Sequence, residues 1–138
     1  MSLEWRPQLS VGNDVIDTDH KHLIGIINRV EDSLAAKDFE GLNNALVSLS
    51  RYSRTHFAAE ETIARAVGYA HVSRLHESHL ALLEKLDQMR QDLVQEWSPA
   101  MVDSFTSLLR DWLVNHVIKE DLLMKPFLTK WSPEFDPR

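Results

Sequence analysis

The sequence predicts an all-α protein, an antiparallel up-down-up-down four-helix bundle with an extended N-terminal arm. Three observations predict it. Apolar residues recur at helical spacing through four long stretches. Only 4 glycines and 5 prolines occur, and the prolines sit near the ends or between helical patterns, so helix interiors are nearly free of breakers. The links between the stretches are short, which favours antiparallel neighbours.

Residues 1–17 read as an arm. Trp5, Leu9, Val11, Val15 and Ile16 give it apolar anchors, and Asp17 or Thr18 offers an N-cap for the first helix. That helix is predicted at about 18–36, with His20, Leu23, Ile24, Ile27, Val30 and Leu34 as its inward stripe. The second is predicted at about 39–67 and has the clearest pattern. Leu42, Leu49, His56 and Ile63 are seven apart, as are Leu46, Ser53, Glu60 and Val67, which makes the two rows of a bundle seam. Gly68 is placed to end it, because glycine tolerates a left-handed cap. The third is predicted at about 72–96, with rows Val72–His79–Leu86–Leu93 and Leu75–Leu82–Met89. Ser98 and Pro99 signal the start of the fourth, at about 99–124, where Val102, Phe105, Leu109, Trp112, Leu113 and His116 face inward. Pro126 limits it, and residues 125–138 read as an irregular tail.

The 138 residues suit one domain. The net charge of −6, with both signs interspersed, gives no basic groove for nucleic acid. With no cysteine, disulfides, zinc ribbons, iron–sulfur clusters and thiol nucleophiles are excluded. No apolar run is long enough to span a membrane, and Glu4 and Arg6 interrupt any apolar signal region at the start. The expectation is a cytoplasmic monomer.

Chemistry enters through the histidines. Of seven, four fall on the inward stripes of four different helices: His20, His56, His79 and His116. A single inward histidine is most simply a core residue satisfied by a hydrogen bond. Four of them with Glu60 added are another matter, because buried ionisable groups cost several kcal/mol unless paired or bound to a metal. His20 and His79 lie early in their helices, His56 and His116 late, so an up-down-up-down bundle brings all four to one end. His56 and Glu60, four apart, share a helix face. Imidazole and carboxylate without thiolate suit iron, manganese or zinc. The single inward His–Glu pair argues against a ferritin-like centre, which takes Glu from two helices and Glu-x-x-His from two others.

Several short motifs occur in order. Trp5, Leu9-Ser10-Val11-Gly12 and Ile16-Asp17-x-x-His20 open the chain. His56-Phe57-x-x-Glu60-Glu61, Gly68-Tyr69 and His116-x-x-x-x-Asp121 follow. In this series the chain resembles the hemerythrin family, in its single-domain bacterial form, over nearly its whole length. The resemblance implies two iron ions bridged by the carboxylates of Glu60 and Asp121 and by an oxo or hydroxo group. His20 and His56 would hold the iron that keeps an open position for dioxygen. His79 and His116 would hold the second iron, with a third histidine. Leu23, Ile24, Ile27, Trp112 and Leu113 are candidates for the apolar walls. Asp121 is a ligand by resemblance alone. On an ideal helix it turns about 140° away from His116, five residues back.

The third helix departs from the family pattern of two histidines four apart. Leu75 stands where the first would be, and His76 is its neighbour. Residues 76 and 79 lie about 60° apart on a helix. Either His76 serves as the ligand, or the row Leu75–Leu82–Met89 keeps it at the seam's edge and the second iron lacks a ligand. Ala70 and Ala64 replace a proline and a methionine common in the family. His22 and His71 read as surface residues, and Glu61 as solvated or as a partner of a ligand histidine. The expected function is reversible dioxygen binding for storage, delivery or sensing, not catalysis. The alternatives are a di-iron enzyme acting on peroxide or nitric oxide, and an iron-binding bundle without oxygen chemistry.

Overall fold

The computed structural model describes residues 2–92 and 98–138. Four long helical stretches and no strand occur among the described residues, as the periodicity predicts. They are α1 (Asp14–Ala35), α2 (Phe39–Ala66), α3 (Val72–Asp92) and α4 (Pro99–Asp111). A π-helical segment, Trp112–Ile118, continues α4 without a break. It leads into α5 (Lys119–Asp121), a 3-10 turn at Leu122–Met124 and α6 (Lys125–Leu128). Residues 93–96 of the predicted third helix, with Leu93 of its apolar row, lie outside the described residues. No helix among those described is long and apolar enough to cross a membrane.

The caps explain where the helices start and stop. Helix α1 begins at Asp14, four residues earlier than the pattern suggests, because Asn13 is the cap. Its backbone is extended and its side-chain oxygen accepts the Ile16 N–H at 3.2 Å. Asp17 is therefore free for another task. Its carboxylate accepts the Val11 N–H at 2.9 Å and the Ser10 hydroxyl at 2.5 Å, pinning the arm onto the bundle. At the end of α2, Gly68 takes φ +75°. The Tyr69 N–H reaches Ala64 O at 3.0 Å and the Gly68 N–H reaches Arg65 O at 3.2 Å, the paired bonds of a Schellman stop. Ser98 caps α4 through Met101 N at 3.2 Å, with Pro99 in the first turn as expected. Pro126 does not end the last helical stretch. The chain tightens into the 3-10 turn and restarts, so Pro126 falls in the first turn of α6, where its missing N–H leaves nothing unpaired.

Two apolar clusters fill the bundle. The larger runs along its body and includes Leu23, Ile27 and Leu34 of α1, Leu42, Leu46 and Leu49 of α2, Leu86 of α3 and Leu109 of α4. Trp112 is fully buried there and donates its indole N–H to Leu82 O at 2.9 Å. The smaller cluster joins Val11 and Ile16 to Ile63, Ala64, Val67, Leu75, Met124 and Leu128. Along α2 the first cluster extends to Phe57 and the second begins at Ile63. Glu60 lies between them. The buried polar groups form a layer sandwiched by two oily ones.

Gly12 and Gly68 both hold positive φ, at +85° and +75°. A Cβ on Gly68 would meet open space, whereas one on Gly12 would lie 2.8 Å from the Thr129 methyl. Gly68→Ala is expected to cost about 1–2 kcal/mol from backbone strain alone. Gly12→Ala is expected to cost more, and urea unfolding of the two variants measures the difference.

Candidate metal centre

Four buried side chains from three helices meet in the polar layer. They are His20 of α1, His56 and Glu60 of α2, and Asp121 of α5, and one ligand atom of each lies within 4.8 Å of all the others. Helical spacing on α2 puts His56 and Glu60 on one inward face. His20 Nε2 stands 2.8 Å from Asp121 Oδ2. His56 Nε2 stands 2.8 Å from Glu60 Oε2 and 3.8 Å from Asp121 Oδ2. The two imidazoles meet edge to face, with centroids 5.0 Å apart.

The other oxygen of Glu60 faces α3. Glu60 Oε1 lies 3.1 Å from His79 Nε2. The carboxylate thus touches one histidine on each side. Phe57 stacks on the His79 ring at 4.0 Å and 6°, which holds its orientation.

Two further carboxylates orient the histidines from behind. Asp19 Oδ2 lies 2.9 Å from His56 Nδ1 and Glu61 Oε2 lies 2.8 Å from His79 Nδ1. Each fixes which ring nitrogen carries the proton and leaves Nε2 turned toward the cluster. Asp19 is itself held. The Tyr52 hydroxyl donates to Asp19 Oδ1 at 2.8 Å, and His22 Nδ1 lies 2.8 Å from the same hydroxyl. A chain of side chains therefore runs from exposed His22 to buried His56. Asp19 and Tyr52 escaped the sequence reading. Tyr52 sits four residues before His56, on the same helix face, and that spacing was the available signal.

Two residues expected at the centre are elsewhere. His76 has a side chain 55% exposed and pairs with Glu61 Oε1 at 2.7 Å. Its neighbour Leu75 is 2% exposed within the smaller apolar cluster and fills the inward position. His116, expected to face inward, has a side chain 49% exposed and pairs with Asp111 Oδ2 at 3.1 Å. The cause is the π-helical segment. Its i→i+5 hydrogen bonding stacks residues five apart, so His116 comes over Asp111. Leu113 and Val117 take the inward places. With His116 turned outward, the roughly 140° that separates residues five apart on an ordinary helix carries Asp121 back to the interior, where it is buried. His22 and His71 are exposed, as expected.

The electrostatics follow from burial and crowding. Burial pushes the Glu60 carboxyl up, but its hydrogen bond with Asp121 and the His56 charge outweigh that and hold it well below the usual carboxylate range. Burial raises Asp121, and the Glu60 charge beside it adds to the rise. Burial opposes the charge on His56, yet Glu60, Asp121 and Asp19 together raise it well above the ordinary imidazole value. His79 is raised in the same way, against burial, chiefly by Glu60. Burial also pushes Asp19 up, but the hydrogen bonds from His56 and Tyr52 prevail and leave it lowered.

The donor set fits a metal ion. His56 Nε2 and Glu60 Oε2 are close but out of line for a hydrogen bond, and both, with His20 Nδ1, lack a directed partner although buried. Orphaned buried polar atoms are costly. A cation accepting the lone pairs of His56 and Glu60 removes two of these orphans. Nitrogen and oxygen donors without sulfur suit iron, manganese or zinc.

Comparison with known proteins points to one family. A family model described as the hemerythrin HHE cation binding domain matches residues 11–128. A bacteriohemerythrin of Pseudomonas aeruginosa is 30% identical over 120 residues, covering 86% of this chain and 76% of the relative. One from Methylococcus capsulatus is 31% identical over 116 residues, covering 82% and 86%. A crystal structure of a hemerythrin point mutant, leucine replaced by tyrosine, superimposes with a TM-score of 0.78 at 25% identity, covering 94% of this chain and 99% of that one.

The supporting carboxylate makes a prediction. Asp19→Asn is expected to weaken ferrous iron binding by about 10- to 100-fold, with a smaller loss for Tyr52→Phe, read by competition with a chelator of known affinity. A second prediction concerns pH. His56 and His79 have folded values raised above 6.5. Their contribution to the metal-free protein is fully present below 6.5 and is lost as pH rises through the folded values. The metal-free protein is expected to melt at a lower temperature at pH 9 than at pH 6. A melting temperature that rises over this interval would contradict the assignment.

Proposed function

The chain belongs to the hemerythrin family, and on that premise we propose that it binds dioxygen reversibly at non-haem iron held by His20, His56, Glu60 and Asp121. The observation that carries the reading is the cluster itself: four buried donors from three helices, converging with orphaned lone pairs in an otherwise apolar interior. A second iron on the His79 side of Glu60, with an oxo or hydroxo bridge, belongs to the same reading. When bound, iron supplies the electrons and the coordination position at which dioxygen is taken up and released.

The chain's own residues do the rest. Asp19 and Glu61 keep a proton on Nδ1 of His56 and His79, so Nε2 is free to donate. Leu23, Ile27, Trp112 and Leu113 are fully buried and Ile24 nearly so, which keeps water from the cluster. The role is storage, delivery or sensing, in a cytoplasmic monomer. A second reading, turnover of peroxide or nitric oxide, draws on one observation. Leu75 and the outward His116 leave the His79 side short of donors, which would open that side to a second small molecule.

Anaerobic purification, metal analysis and a visible spectrum before and after air test the proposal. Bound iron with an oxygen-dependent band that bleaches under vacuum is the expected result. Consumption of peroxide or nitric oxide over many cycles would favour the second reading instead. A folded protein that refuses added iron would overturn both. His56→Ala is expected to abolish the oxygen-dependent band and to lower the melting temperature of the iron-loaded protein, measured by absorption and circular dichroism.

A further inference from the structure

We infer that the two sides of Glu60 are unequal, so that the chain takes up one ion tightly and a second far more weakly. The inference rests on the metal-centre reading above and concerns how that centre fills.

The side facing α1 is complete in protein donors. His20, His56, Glu60 and Asp121 are all at most 1% exposed and gathered within 4.8 Å. The side facing α3 is not. It has Glu60 Oε1 and His79 Nε2, 3.1 Å apart. One helical turn before His79, on the same face, stands Leu75, buried in the apolar cluster that includes Ile63, Ala64 and Val67 and unable to donate. His76, the next residue, is turned out and already bound to Glu61 at 2.7 Å. His116 is turned out by the π-helical segment and bound to Asp111 at 3.1 Å.

A divalent ion entering the α3 side therefore finds only one imidazole and carboxylate oxygens it shares with the first ion, and water must fill its remaining positions. The first ion also repels it at close range. Neither penalty applies to the first ion, whose four donors are preassembled. His79 is nonetheless held in place by Glu61 and Phe57, so the second position is weak rather than absent.

Anaerobic titration with ferrous iron alone, read by calorimetry and metal analysis after desalting, tests this. The expected result is one ion per chain, with a second at least ~100-fold weaker, since losing even a ligand's supporting partner costs 10- to 100-fold. After mild oxidation, the one-ion protein is expected to show the electron paramagnetic resonance of isolated high-spin ferric iron, which a coupled pair does not give. Leu75→His is expected to raise the tight stoichiometry to two and to diminish that signal on oxidation. Two tight ions in the unaltered chain would overturn the inference and leave the oxygen-binding proposal standing. A folded Leu75→His variant that still binds one ion would overturn the role given to Leu75, and the wild-type signal stands as the check if the variant does not fold. No ion bound by the folded chain would overturn the metal-centre reading itself, and this inference with it.

Discussion

The bundle is organised around one electrostatic constraint: two carboxylates and three imidazoles must share a space that water does not reach. Glu60 and Asp121 lie against each other, and both are at most 1% exposed. Two negative charges so placed repel strongly in a medium of low polarizability, and desolvation adds to the cost. Protons on His56, His79 or Asp121 relieve the strain in part. A dication held by these groups would relieve it more fully, with the nitrogens as donors instead of proton carriers. The apolar clusters above and below make the problem acute, because they deny the layer any other solvation.

Helix regularity gives way to this constraint at one place. Helices α1, α2 and α3 bring their donors inward with ordinary α geometry. The fourth stretch changes hydrogen-bond pattern three times between Trp112 and Lys125. Seven π-helical residues, a short α turn and a 3-10 turn reset the phase of the chain, so that Trp112 can face the larger cluster and Asp121 the polar layer. The cost of the irregularity falls on His116, which the changed phase carries to the surface.

This explains how far the sequence could be read. The seven-residue rows of α2 exposed His56 and Glu60 directly, because they interrupt a seam that is otherwise apolar apart from Ser53. His20 and His79 followed from the same logic on regular helices. Asp121 was legible only through likeness to a family motif, since counting 100° per residue from a His116 taken as inward sends it the wrong way. The outward turn of His116 could not be read at all, because nothing in Trp-Leu-Val-Asn-His-Val-Ile marks a change from α to π spacing. Tyr52 shares a helix face with His56, but the contact between Asp19 and Tyr52 was hidden for a different reason. They belong to different helices, and their meeting depends on how α1 and α2 face each other. The early start of α1 was missed because Asp17 looked like a cap, whereas its carboxylate holds the arm and Asn13 does the capping.

The separation of His20 and Asp121 along the chain has a consequence for biogenesis. The two residues are 101 positions apart and meet at 2.8 Å. A nascent chain that has emerged only through its second helix holds His20, His56 and Glu60 of the cluster but lacks Asp121 opposite them. The pocket is therefore created by completion of the tertiary structure, not along the way. An ion held by this set would meet all four donors only once the last helical stretch has docked.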